Sequence, residues 1–155
     1  MATRLLYAAL HSDYATLIAA IDDGCSLEDR DEYGTTALMV ACTQPHSPRC
    51  ALALVEAKSD INAANNAGWT PLLFAALHKN DHIVDALIQA GSDVNARTTH
   101  DWTILQVVVN FRYMDFLNGT DTKPLERIAE KLISVGSTWE DIDLFDDHHW
   151  VGKIV

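Results

Sequence analysis

The chain has 155 residues, 48% of them hydrophobic, and its 22 Asp and Glu against 11 Lys and Arg leave a formal net charge of −11. That is enough apolar material for one folded domain. The acidic excess argues against nucleic acid as a partner, since phosphates need a basic surface. No apolar run approaches the roughly 18–20 residues that span a bilayer, so no membrane partner is expected.

The N-terminal stretch places Thr3, Leu5, Ala8, Ala9, Leu17, Ile21 and Gly24 at the offsets of a helix pair. The apolar run Leu5–Leu10 is too short, and too soon followed by His11 and Asp13, to be a secretory signal. A cytoplasmic location is therefore expected. From Asp31 onward one pattern recurs. Asp31-Glu32-Tyr33-Gly34-Thr35-Thr36-Ala37-Leu38 returns as Asn65-Asn66-Ala67-Gly68-Trp69-Thr70-Pro71-Leu72, and again, more worn, as Thr98-Thr99-His100-Asp101-Trp102-Thr103-Ile104-Leu105. Gly34 thus returns as Gly68, and Trp69 as Trp102. A fixed period of about 33 residues signals a stacked array whose units cannot bury their apolar faces alone.

The third unit is the clearest. Thr70 before Pro71 starts a helix, because the hydroxyl caps free N–H groups and proline suits the first helical position. Leu72, Ala75 and Ala76 then make an apolar stripe. Ile83, Val84, Leu87 and Ile88 make the matching stripe on a second helix, and Gly91 is a left-handed stop. Gly24 and Gly136 take the same place in their units, and Lys58 takes it in the second, where positive φ costs a non-glycine residue about 1 kcal/mol. The span from Thr103 to Gly136 is much longer than the matching span from Thr70 to Gly91. The fourth unit therefore carries about 12 extra residues, expected as a longer first helix and the loop Asn118–Pro124.

The run Gly68-Trp69-Thr70-Pro71-Leu72-Leu73-Phe74-Ala75-Ala76, with Ile83-Val84, Leu87-Ile88 and Ala90-Gly91-Ser92-Asp93-Val94-Asn95-Ala96, resembles the ankyrin repeat. The resemblance implies an all-α solenoid of helix-turn-helix units with projecting β-hairpin loops. About four repeats are expected, near 1–30, 31–64, 65–97 and 98–139, in a single domain 1–155 whose tail 140–155 caps the array. One departure recurs. The family's histidine after Thr-Pro-Leu, which ties neighbouring hairpins together, is replaced by Met39, Leu73 and Gln106.

Cys42 and Cys50 stand where the pattern has small core residues, and Cys25 follows Gly24; an odd count without C-x-x-C spacing fits reduced thiols. Catalysis is weighed against this background. His148-His149 beside Asp146-Asp147 is one candidate metal cluster, and His78 with His82 is another. The repeat places an inter-helix turn between His78 and His82, and no Gly-rich phosphate loop or G-x-S-x-G elbow is present. No enzyme, metal or cofactor is therefore expected.

In the family, hairpin tips and the open side of each first helix carry partner specificity. Carried over, the resemblance places Tyr7 and His11 there from the first unit, and Glu32 and Tyr33 from the second. The third unit contributes Asn66, Trp69, Phe74 and His78. The fourth contributes His100, Trp102, Val107, Asn110 and Phe111. Tyr and Trp are common interface anchors, although Trp69 packing on Trp102 and Phe74 filling a groove is an alternative reading. Acids crowd Glu28–Glu32 and the tail at Glu140, Asp141, Asp143, Asp146 and Asp147. They either solvate the surface or flank a basic ligand. The expected function is non-enzymatic binding of a basic partner protein, as an inhibitor or adaptor such as a bacterial immunity protein, by a chain monomeric when free. A cytosolic scaffold is the alternative.

Overall fold

In this computed structural model, which describes residues 4–44 and 47–138, eight helices stack in four antiparallel pairs. The inner helices are α1 (Arg4–Leu10), α3 (Ala37–Cys42), α5 (Pro71–Leu77) and α7 (Ile104–Leu117). The outer ones are α2 (Tyr14–Asp22), α4 (Arg49–Glu56), α6 (Asp81–Gln89) and α8 (Lys123–Ser134). Each inner helix packs on its own outer helix and on the inner helix of the next pair; the outer helices form a second row. The all-α solenoid implied by the resemblance is the observed architecture.

The caps follow the sequence. Thr36, Thr70 and Thr103 accept from the backbone N–H three residues on, at 3.4, 3.4 and 3.2 Å. Where Met39 and Leu73 replace the family histidine, both are buried. Gln106 instead accepts from Thr103 N at 2.7 Å and closes a capping box. The helix stops also agree. Gly24, Gly91 and Gly136 have φ of 76°, 92° and 92°, and Lys58 repeats the conformation at 70°. Lys58→Gly is therefore expected to raise stability by about 1 kcal/mol, read as a higher midpoint of urea unfolding.

One core runs the length of the stack. Leu5, Leu17, Leu38, Leu54, Leu72, Ile83, Leu87, Leu105, Ile128 and Leu132 are all sealed within it. Small residues at Ala8, Ala9, Ala41, Ala75 and Ala76 are fully buried and let the inner helices approach closely. The extra residues of the fourth unit lengthen α7 to 14 residues, against 6 and 7 for α3 and α5. The loop that follows is shorter than expected, because Lys123 and Pro124 open α8; proline suits that first turn.

The projecting loops are hairpins held by side chains more than by strands. Asp31 Oδ1 accepts from the N–H of Tyr33 and Thr35 at 2.9 and 2.8 Å. Asn65 Oδ1 does the same for Ala67 and Trp69 at 3.0 and 2.9 Å, and Thr98 Oγ1 for His100 and Trp102 at 3.3 Å. Among the described residues, β-pairing in these loops is limited to the single bridges Arg30–Thr36 and Arg97–Thr103. The worn glycine of the third hairpin is Asp101, which takes φ 65°, tolerable for aspartate in the left-handed region.

A second set of bonds ties unit to unit behind the hairpins. Asp60 N donates to Glu28 Oε1, Asp93 N to Asn62 Oδ1 and Thr138 N to Asn95 Oδ1, at 2.8, 2.8 and 2.9 Å. Asn62→Ala removes one of these bonds at an exposed site and is expected to cost about 1 kcal/mol in chemical unfolding. The expected capping tail lies outside the described residues.

Candidate binding surface

The hairpins form a continuous rib because each bonds to the next through its backbone. Asn66 N donates to Tyr33 O at 3.0 Å, and Thr99 N donates to Ala67 O at 3.1 Å. Asn66 Nδ2 adds a bond to Glu32 O at 3.2 Å, and Arg30 reaches Ala64 O at 2.7 Å. The glycines permit this approach. A Cβ on Gly68 would lie 2.6 Å from Thr99 N, and one on Gly34 would lie 2.6 Å from Asn66 Oδ1.

The structure leaves most of the expected row open to water. Tyr33 is 66% exposed, Tyr7 55%, and Trp102 and Phe111 46% each. Glu32, His11, Asn66, His78, His100 and Asn110 are exposed as well. Val107 departs from expectation: only 4% exposed, it belongs to the core together with Val108. Trp69 and Phe74 are half-buried and meet edge to face, with centroids 5.5 Å apart. Trp69 thus pairs with Phe74 and not with Trp102, and both rings pack against the core.

Two of the row's three histidines, His11 and His78, share one local arrangement. His11 Nδ1 lies 2.9 Å from Tyr7 O, and His78 Nδ1 lies 2.9 Å from Phe74 O, each closing the last turn of an inner helix. As donors they add a second bond to a carbonyl that already accepts the same histidine's backbone N–H at 3.1 Å. His11 also stacks on Tyr7, with centroids 4.1 Å apart. His78 caps α5 while His82 lies in α6, beyond the turn.

Part of the acidic cluster is consumed by the fold. Glu28 and Asp31 hold backbone N–H groups, which leaves Glu32 as the exposed acid beside Tyr33. Asp146, Asp147, His148, His149 and the other tail acids lie outside the described residues. Among the described residues, no group of three or more His, Cys, Asp and Glu is placed to hold a metal. Cys42 is sealed in the core, where burial pushes its thiol up and keeps it protonated, unlike a nucleophile's. No helix of the described residues is long and apolar enough to cross a membrane.

Two features escaped the sequence reading. The added length of α7 exposes Tyr113, Met114 and Leu117 beside Phe111. Those residues stand in the insertion, where the repeat offers no template. Arg112, on the same helix, is only 8% exposed, and its Nε and Nη2 donate to Glu126 Oε1 at 3.2 and 2.8 Å. An arginine among apolar residues gives no hint in sequence that it turns inward.

No curated protein matches the chain. A family model described as ankyrin repeats matches residues 5–98 in three copies. Ankyrin repeats are protein–protein interaction modules, and their model covers more than half of this chain. The protein belongs to the ankyrin-repeat family.

Proposed function

We propose that this protein grips a basic partner protein along the row from Tyr7 and His11 to Trp102 and Phe111, and acts by occupying the partner without chemistry of its own. The observation that carries the reading is the exposure of Tyr33, Trp102, Tyr7 and Phe111 on hairpin tips and inner helices. Aromatic residues of this kind anchor interfaces, and while scattered exposed apolar residues are normal, a row of them is not. The net charge of −11 supports a basic partner, drawn in by electrostatic steering. Occlusion of a basic enzyme, as an immunity protein occludes a toxin, is the concrete form of an inhibitor role. In this reading residues 1–155 make one array, monomeric when free and working in the cytoplasm.

Trp102 is the residue to remove, since its ring is outside the core. Trp102→Ala is expected to weaken capture of the partner from the source cells by at least about tenfold while leaving helical circular dichroism unchanged. Raising salt is expected to weaken the wild-type complex too. Capture that survives both the substitution and high salt sinks the reading.

A further inference from the structure

We propose that the fourth helix pair, α7 with α8, is a detachable end unit, docked on the third pair by an ionic clamp that raised salt releases ahead of the rest of the array. This goes beyond the binding reading and stands even if that reading fails.

The distribution of ion pairs carries the inference. Among the described residues, every ion pair that joins one helix pair to another lies at this last boundary. Lys79 Nζ, in the turn between α5 and α6, meets Asp115 of α7 at 2.9 Å. Along the outer row, Arg127 Nη2 of α8 meets Asp81 Oδ2 of α6 at 3.1 Å, and Lys131 Nζ meets Asp85 Oδ1 at 2.8 Å. Arg127 and Lys131 stand one turn apart on α8, as do Asp81 and Asp85 on α6, so a basic stripe faces an acidic one. Basic residues are scarce, 11 against 22 acids, yet three of them meet here. The first two outer helices meet instead through Arg49 over the Tyr14 ring, 4.3 Å from its centroid. The hairpin bonds and the side-chain bonds behind them recur at the second boundary as at the third, so they do not set the last one apart.

Asp81 shows how far the boundary depends on these charges. Its Oδ1 is shut off from water and has no hydrogen-bond partner among the described residues, with Lys131 Nζ 4.0 Å away. A carboxylate so placed relies on its cations. The apolar part of the boundary is also thinner, since α7 lies less closely along α5 than α3 does along α1 or α5. Salt then acts on this chain in two opposite ways. It screens the part-exposed pairs and weakens the clamp. It also screens the mutual repulsion of a chain carrying −11, which favours the helix pairs that have no such clamp. Each unit of an array touches only its neighbours, so the last can part while the others hold. Phe111 rides on α7 and leaves the exposed row with it.

Hydrogen exchange of the free full-length chain tests this in about 0.01 M and about 1 M sodium chloride, between which the Debye length falls from about 30 to about 3 Å. In high salt α7 and α8 are expected to exchange together, about fivefold faster or more, while α3 and α4 hold their rates or slow. Asp81→Asn with Asp85→Asn is expected to give the fast α7 and α8 rates already in low salt and to remove most of their salt response. Rates in α7 and α8 that simply follow those of α3 and α4 overturn the proposal, as does a salt response that the double variant leaves intact. A rise confined to the ends of α8 is fraying and also overturns it. If the double variant loses protection throughout, the wild-type salt response decides alone. No partner is present in the measurement, so failure here leaves the binding reading untouched.

Discussion

Replacing Gly68 with alanine is expected to cost about 3 kcal/mol and to lower the thermal midpoint by roughly 9 °C, measured by calorimetry. Two effects add. Gly68 has φ +76°, where an L side chain costs about 1 kcal/mol. The new methyl would also sit 2.6 Å from Thr99 N and 2.9 Å from Thr98 C and Cα. Those atoms are backbone and have no rotamer by which to retreat. The second and third hairpins must part, and the bond from Thr99 N to Ala67 O goes with them. Gly91→Ala is the control. Its φ is +92° but no atom lies within 4 Å of the new carbon, so only the conformational part, about 1 kcal/mol, is expected. Equal losses at the two positions would mean that hairpin contact contributes nothing.

Arg112→Met is expected to cost about 2 kcal/mol and to flatten the acid side of the stability profile. Methionine retains the apolar stem but loses both bonds to Glu126. Those bonds, helped by the Thr122 hydroxyl at 2.8 Å, hold the Glu126 carboxyl below its ordinary range, against a smaller opposing effect of burial. The sign follows from that depression. The stabilisation is fully present above the unfolded glutamate's pKa near 4.5 and is lost as pH falls through the lower folded value. Because the Glu126 side chain is 36% exposed, salt is expected to reduce the contribution. Asp115, held down by the Lys79 ammonium, adds to the same acid limb. Urea titrations at pH 7 and at pH 3 are expected to separate wild type from Arg112→Met at the higher pH and to bring them together at the lower.

The sequence was most readable where geometry forces one residue type. Thr70-Pro71, Gly91 and Gly68 each answer a backbone demand, and each stands where the repeat placed it. Lys58 shows the same demand met by a costlier residue, and the structure bears out its left-handed φ of 70°. The surface was readable for a related reason. Tyr33 and Trp102 stand on projecting hairpins and are exposed. Legibility failed where two packings compete for one side chain. Trp69 sits at a tip yet leans onto Phe74, a choice set by the neighbouring helix and not by its own segment. Val107 aligns with half-buried Phe74 but is drawn inward with Val108. Arg112 and the apolar end of α7 lie in an insertion, where only the folded contacts reveal what each residue meets.

The central claim is that the ribbed inner face, and not the outer row of helices, takes the partner. Hydrogen exchange of the protein with and without its captured partner measures this directly. Slowing is expected at residues 31–35, 65–69, 98–102 and 107–111, with α2, α4, α6 and α8 unchanged. Slowing confined to those outer helices, with the hairpin tips as fast as in the free protein, would contradict it.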